Sequence, residues 1–76
     1  MPRLPRVNAR ETVAALTKTG FVLDRHHGGH LVMVHHERRR TAIVPEHGGQ
    51  DLALGTLHRI LDQAGLAAEE FSRLLK

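Results

Sequence analysis

The stretch FVLDRHHGGHLVMVHHERRRTAIVP, residues 21–45, decides the fold. Two apolar-rich runs, FVLDRHH and HLVMVHH, flank Gly28-Gly29. A two-residue turn between paired strands needs positive φ, which glycine adopts without a Cβ penalty, so the stretch predicts a β-hairpin. RRTAIV follows a turn near Glu37 and Arg38 and supplies a third strand. Pro45 has no N–H for a ladder and closes that strand.

Helical signals bracket the strands. Asn8 is a good N-cap, and Glu11 stands three residues later, as a capping box requires. Ala9, Val13 and Leu16 fall on one face, Lys18 lies in the last turn and Gly20 fits the position just past the helix, which predicts a helix over 9–19. PEHGGQD reads as loop. Leu57, Ile60, Leu61 and Ala64 then repeat at helical spacing, Gly65 ends that helix, and AAEEFSRLL forms a last short helix turning Phe71, Leu74 and Leu75 inward. A helix, a three-stranded antiparallel meander and helices segregated from it make an α+β, two-layer α-β-β-β-α domain with a short third helix.

One sheet face is then left free, and alternation alone does not say which. His30, Val32, Val34 and His36 share one side of the second strand; Leu31, Met33 and His35 share the other. Both sides carry apolar residues. A partner covering the second face explains that pattern, and so does a central strand rich in β-branched residues.

At 76 residues the chain forms one domain, with residues 1–7 expected to be flexible. A domain this small buries only about 60% of the surface its unfolded chain exposes, so an active site is expected on an open surface rather than in an enclosed cavity. The absence of cysteine excludes disulfide staples and thiolate chemistry and suits the cytoplasm. MPRLPRVNAR carries charge with no apolar run behind it, and no stretch approaches the roughly 20 apolar residues of a membrane span, so a soluble protein with neither signal peptide nor membrane partner is expected.

Charge is unevenly spread. Residues 1–45 hold eight Arg and Lys against Glu11, Asp24 and Glu37, whereas residues 46–76 hold five acids against Arg59, Arg73 and Lys76. A basic half points to a polyanion, and the preference for Arg over Lys favours phosphate, which the planar guanidinium meets with paired donors. The plainer reading is a solvated surface rich in arginine.

Seven histidines are the conspicuous chemical feature. His26, His27, His35 and His36 flank the hairpin strands, and pairs across a hairpin can bind a metal. Adjacent strand residues point to opposite faces, however, so each His-His pair is divided, with no cysteine and few acids nearby to complete a shell. No metal site and no cofactor are expected. His58 reads as an exposed residue of the second helix.

Three stretches together resemble the HicA toxin family of bacterial toxin–antitoxin systems, small ribonucleases on the double-stranded RNA-binding-domain fold. TGFVLDRHHGGHLVMVHH is similar to the family's Gly-Phe strand, hairpin turn and single histidine motif. TAIVPEHGGQDLALGTL resembles its third strand, its Val-Pro and His pair and its Gly-Thr-Leu helix start, and LHRILDQAGLAAEEFSRLL its C-terminal helix pair. The resemblance spans residues 11–76 in the family's order.

The resemblance implies a metal-independent endoribonuclease, an mRNA interferase, with His30 as the catalytic histidine. The family motif is Gly-Ser-His; here it reads Gly28, Gly29, His30, so any contact made by the serine hydroxyl is missing, unless the Gly29 N–H serves the same anion. An imidazole that titrates near neutrality can take the proton of a ribose 2′-hydroxyl, and the phosphate then needs fixed donors. Arg25, Arg38, Arg39 and Arg40 lie on or beside the hairpins and are expected to supply them, with His47 supporting substrate or antitoxin contact. The implied partners are single-stranded mRNA and a HicB-type antitoxin that blocks the site. The alternatives are a noncatalytic RNA-binding domain of the same fold and a module acting only through protein contacts. LALGTLHR lacks the lysine cluster that grips duplex phosphates, and with no Trp or Tyr a base-stacking platform is poorly equipped.

Overall fold

The first helix, α1 (Ala9–Lys18), starts at a complete capping box: the Glu11 N–H donates to Asn8 Oδ1 at 2.8 Å and the Asn8 N–H to Glu11 Oε1 at 3.0 Å. The computed structural model describes residues 4–46 and 48–75. The helix ends one residue earlier than its periodicity suggests, with Gly20 at φ +106°. There the Gly20 N–H donates to Thr17 O and the Phe21 N–H to Leu16 O, which also accepts from Thr19, so carbonyls of the last turn are satisfied and Phe21 is turned into the core. Thr12 is fully buried although polar, its hydroxyl donating to Asn8 O at 2.9 Å.

The strands β1 (Val22–His27), β2 (His30–His35) and β3 (Arg40–Pro45) form an antiparallel sheet in the order β1-β2-β3. Gly28 and Gly29 both take positive φ, 52° and 80°, in the hairpin turn. The second turn uses Arg39 at φ +56°. Pro45 is the last residue of β3, opposite His30, and the Glu46 N–H continues the pairing to Gly29 O.

The helices α2 (Leu54–Ala64) and α3 (Ala68–Leu74) complete the α+β order, a helix, three strands and two helices. Gly65 in the left-handed region closes α2, its N–H donating to Asp62 O and that of Leu66 to Leu61 O. A seven-residue helix is marginal in water. Tertiary contacts hold α3: Phe71 is fully buried, Leu74 and Leu75 pack on the core, and Lys18 Nζ donates to Leu74 O at 2.8 Å, tying its C-terminal turn to α1.

Leu31, Met33, Ala42 and Val44 carry the helix-facing side of the sheet and pack with Leu16, Phe21, Leu52, Leu57, Ile60 and Phe71. The open question of facing is thus settled: the side of Leu31, Met33 and His35 meets the helices, and the side of His30, Val32 and Val34 is open. His35 therefore does not belong with the surface histidines. It is buried, its ring edge-on to Phe21 at 5.3 Å between centroids, with Nε2 3.1 Å from Thr19 O and Nδ1 accepting the Arg38 N–H at 3.2 Å.

The N-terminal lead also differs from expectation. Residues 1–7 read as flexible, yet Val7 is 3% exposed, its carbonyl accepts the Leu52 N–H at 2.8 Å, and Leu4 packs on the core. Asn8 pairs with Asp51 in the same short antiparallel contact. Apolar side chains with a core to enter and a backbone partner to pair with outweigh the entropy of a loose lead; residues 1–3 lie outside the described residues. Among the described residues no helix is long and apolar enough to cross a membrane.

Candidate active site

Register decides which side chains meet on the open face. Val22 opposes Val34 and Leu23 opposes Met33, but the ladder shifts at Asp24, so that Arg25 opposes Val32, His26 opposes Leu31 and His27 opposes His30. Without that bulge Arg25 and His27 would share the helix-facing side with Leu23. The extra residue reverses the alternation and re-aims both onto the face of His30. On β3, Ile43 opposes Val32 and Pro45 opposes His30 on the same side.

The second wall comes from α2, beside the outer edge of β3. Gln63 reaches that edge, its Oε1 accepting the Ile43 N–H at 2.9 Å, while its backbone O accepts Arg40 Nη1 at 3.3 Å. Thr56, Arg59 and Gln63, three and four residues apart, share one side of α2. Together with Arg25, His27, His30, Val32, Ile43 and Pro45 they enclose an open cleft of about 470 Å³. Its floor is apolar, Val32 being 8% exposed, and its rim carries two imidazoles and two guanidinium groups.

His30 sits at the start of β2 with its ring exposed. Nδ1 lies 3.3 Å from Gly28 O. When Nδ1 carries the proton and donates to that carbonyl, Nε2 keeps its lone pair for an incoming group, so the turn selects the tautomer a base needs. Gly28 and Gly29 are exposed, and a Cβ built at either meets nothing within 4 Å. The missing serine is thus not excluded by crowding; the cost at Gly29 is the positive φ alone.

The arginines divide. Arg25 lines the cleft and its Nη1 donates to Asp24 Oδ2 at 2.9 Å. Arg38, Arg39 and Arg40 stand around the β2–β3 turn, a full strand length from His30, roughly 17 Å along β2. The structure does not bring them to the imidazole. His47 lies outside the described residues. His26 is on the helix-facing side, its Nε2 2.9 Å from Glu46 Oε1. His36 and His58 are exposed. Among the described residues no group of three or more His, Asp or Glu side chains is arranged to hold a metal ion.

Sequence reasoning missed the contribution of α2, Arg59 and Gln63 above all, and the company His27 keeps with His30. The spacing of Thr56, Arg59 and Gln63 on one helix side is visible in the chain, but nothing local says that this side overhangs the sheet.

The order of elements and the exposed histidine after a glycine turn agree with one family. The model for the HicA toxin of bacterial toxin–antitoxin systems matches residues 9–66. A comparison with curated proteins finds no match. The matched region runs from the first residue of α1 through the sheet to just past the glycine closing α2, most of the domain. The chain belongs to the HicA toxin family.

Proposed function

We propose that this toxin is a metal-independent endoribonuclease that cuts mRNA in the cytoplasm, with His30 as general base toward the ribose 2′-hydroxyl. The observation that carries the reading is the exposed His30, which lines the cleft with its Nδ1 facing Gly28 O. A base must lie within hydrogen-bond reach of the proton it takes, and an open cleft admits a polynucleotide where an enclosed pocket would not. Arg25 and Arg59 on the cleft rim supply the fixed positive charge that a phosphate requires as negative charge builds on it. Attack by the 2′-oxygen leaves a 2′,3′-cyclic phosphate on one fragment and a 5′-hydroxyl on the other.

A toxin of this family implies an antitoxin. We assign it the open face of the sheet, where Val22 and Ile43 are 47% and 41% exposed beside the cleft. A HicB-type protein seated there covers His30 and the apolar surface together.

The test is incubation of the purified chain with RNA in excess chelator, beside His30→Ala. Cleavage by the wild type, none by the variant, and resistance of RNA carrying a 2′-O-methyl group at the scissile nucleotide are expected. Normal cleavage of the methylated RNA would sink the nucleophile; equal binding without cleavage by both proteins would leave a noncatalytic RNA binder.

A further inference from the structure

Cleavage through the 2′-hydroxyl needs two proton transfers. One group takes the proton of the attacking oxygen and another gives a proton to the departing 5′-oxygen, whose alkoxide is a poor leaving group. We propose that His27 is that second group, the general acid that works opposite His30. This rests on the nuclease reading above and goes beyond it by assigning the other half of the proton transfer.

Three observations meet here. His27 is the direct cross-strand partner of His30 in the last pair before the turn. Both line the same cleft, and both are exposed. Directly opposed residues of an antiparallel pair have Cβ atoms about 4.5–5.5 Å apart and project to the same face, so two rings at these positions flank a single phosphate. The bulge at Asp24 gives His27 this orientation, and a bulge beside a functional site commonly re-aims a side chain. The ionic surroundings are sparse: Arg25 and Arg59 line the cleft, Asp24 is engaged with Arg25, and Glu46 is paired with His26 on the opposite side.

The assignment of roles follows from the tautomer. His30 has the Gly28 carbonyl to hold its Nδ1–H, which suits the base; the role left to His27 is the acid, played by the form of its ring that carries a proton on both nitrogens. The 2′-oxygen bonds to phosphorus as its proton passes to His30 Nε2. The bond from phosphorus to the 5′-oxygen breaks, and that oxygen takes the proton of His27. A cyclic phosphate and a 5′-hydroxyl result, with His30 protonated and His27 neutral, and exchange with water resets the pair.

Two substrates separate this role from a structural one. With RNA, His27→Ala is expected to lose about 10²- to 10⁴-fold in kcat/KM, the span typical of one acid–base group, and the alkaline limb of a bell-shaped pH profile should vanish. With a nucleoside 3′-(p-nitrophenyl phosphate), whose leaving group departs without a proton, the same variant should come within a few-fold of wild type, whereas His30→Ala stays inactive on both. His27→Gln, which keeps a polar side chain without the proton, should behave as His27→Ala, and circular dichroism checks that each variant is folded. An equal defect on both substrates, or full activity of His27→Ala on RNA, overturns the role of His27 and leaves His30 standing. Absence of RNA cleavage by the wild type overturns the nuclease reading and this assignment with it.

Discussion

The ring of His35 lies against Gly20: a Cβ at position 20 would fall 2.8 Å from His35 Nε2. The ring cannot retreat, because its two nitrogens face Thr19 O and the Arg38 N–H and it packs T-shaped with Phe21. Gly20 also holds φ +106°, which side-chain-bearing residues avoid. Gly20→Ala therefore combines backbone strain with a clash and should cost about 3 kcal/mol. Thermal melting should show a fall of more than about 10 °C; a fall below about 2 °C would mean the ring is not packed there.

The capping box gives a second prediction. Asn8→Ala should destabilise the protein by about 1 kcal/mol, since the Glu11 N–H loses its acceptor. Because Asn8 and Glu11 serve each other reciprocally, Glu11→Ala in the Asn8→Ala background should add less than it costs alone. Urea unfolding of the two single variants and the double variant measures the difference; strict additivity would count against the coupled box.

Gln63 joins stability to the site. Its side chain occupies the Ile43 N–H on the outer edge of β3, and it lines the cleft. Gln63→Leu should lose up to about 1 kcal/mol and free a strand edge, seen as concentration-dependent association in sedimentation. Gln63→Glu keeps an acceptor and should keep the stability, while its carboxylate beside the cleft weakens RNA binding, most at low salt. Unchanged RNA affinity at low salt would place the strand elsewhere.

Position in the fold separates the arginines. Arg59→Ala, at the cleft rim, should reduce RNA affinity about tenfold and lower the slope of log affinity against log salt by about 1. Arg39 stands at the far turn with φ +56°. Arg39→Gly should raise stability by about 1 kcal/mol by relieving that conformation, with RNA cleavage within about twofold of wild type. A large loss of cleavage would show that the substrate reaches the turn.

Much of the fold is legible because its signals are local. Asn8 and Glu11 announce α1, Gly28-Gly29 the hairpin and Gly65 the end of α2, each through backbone geometry that depends on a few neighbouring residues. Thr12 and Val7 were not legible as core: a buried hydroxyl is tolerated only because Asn8 O accepts it, and Val7 is held by a contact with Leu52, 45 positions along the chain.

The sequence alone determined the order of elements, the turn that exposes His30 and the family to which the chain belongs, because capping, glycine conformations and apolar period act over a turn or two of chain. The tertiary structure decided which sheet face is open, that His35 is core while His27 faces His30, and that Arg59 rather than Arg38, Arg39 or Arg40 shares the cleft. A one-residue bulge at Asp24 and the lateral placement of α2 against β3 produce those outcomes. Both arise from contacts distant in sequence: strand register is set by what the whole sheet buries, and a shift of one residue reverses every side chain beyond it.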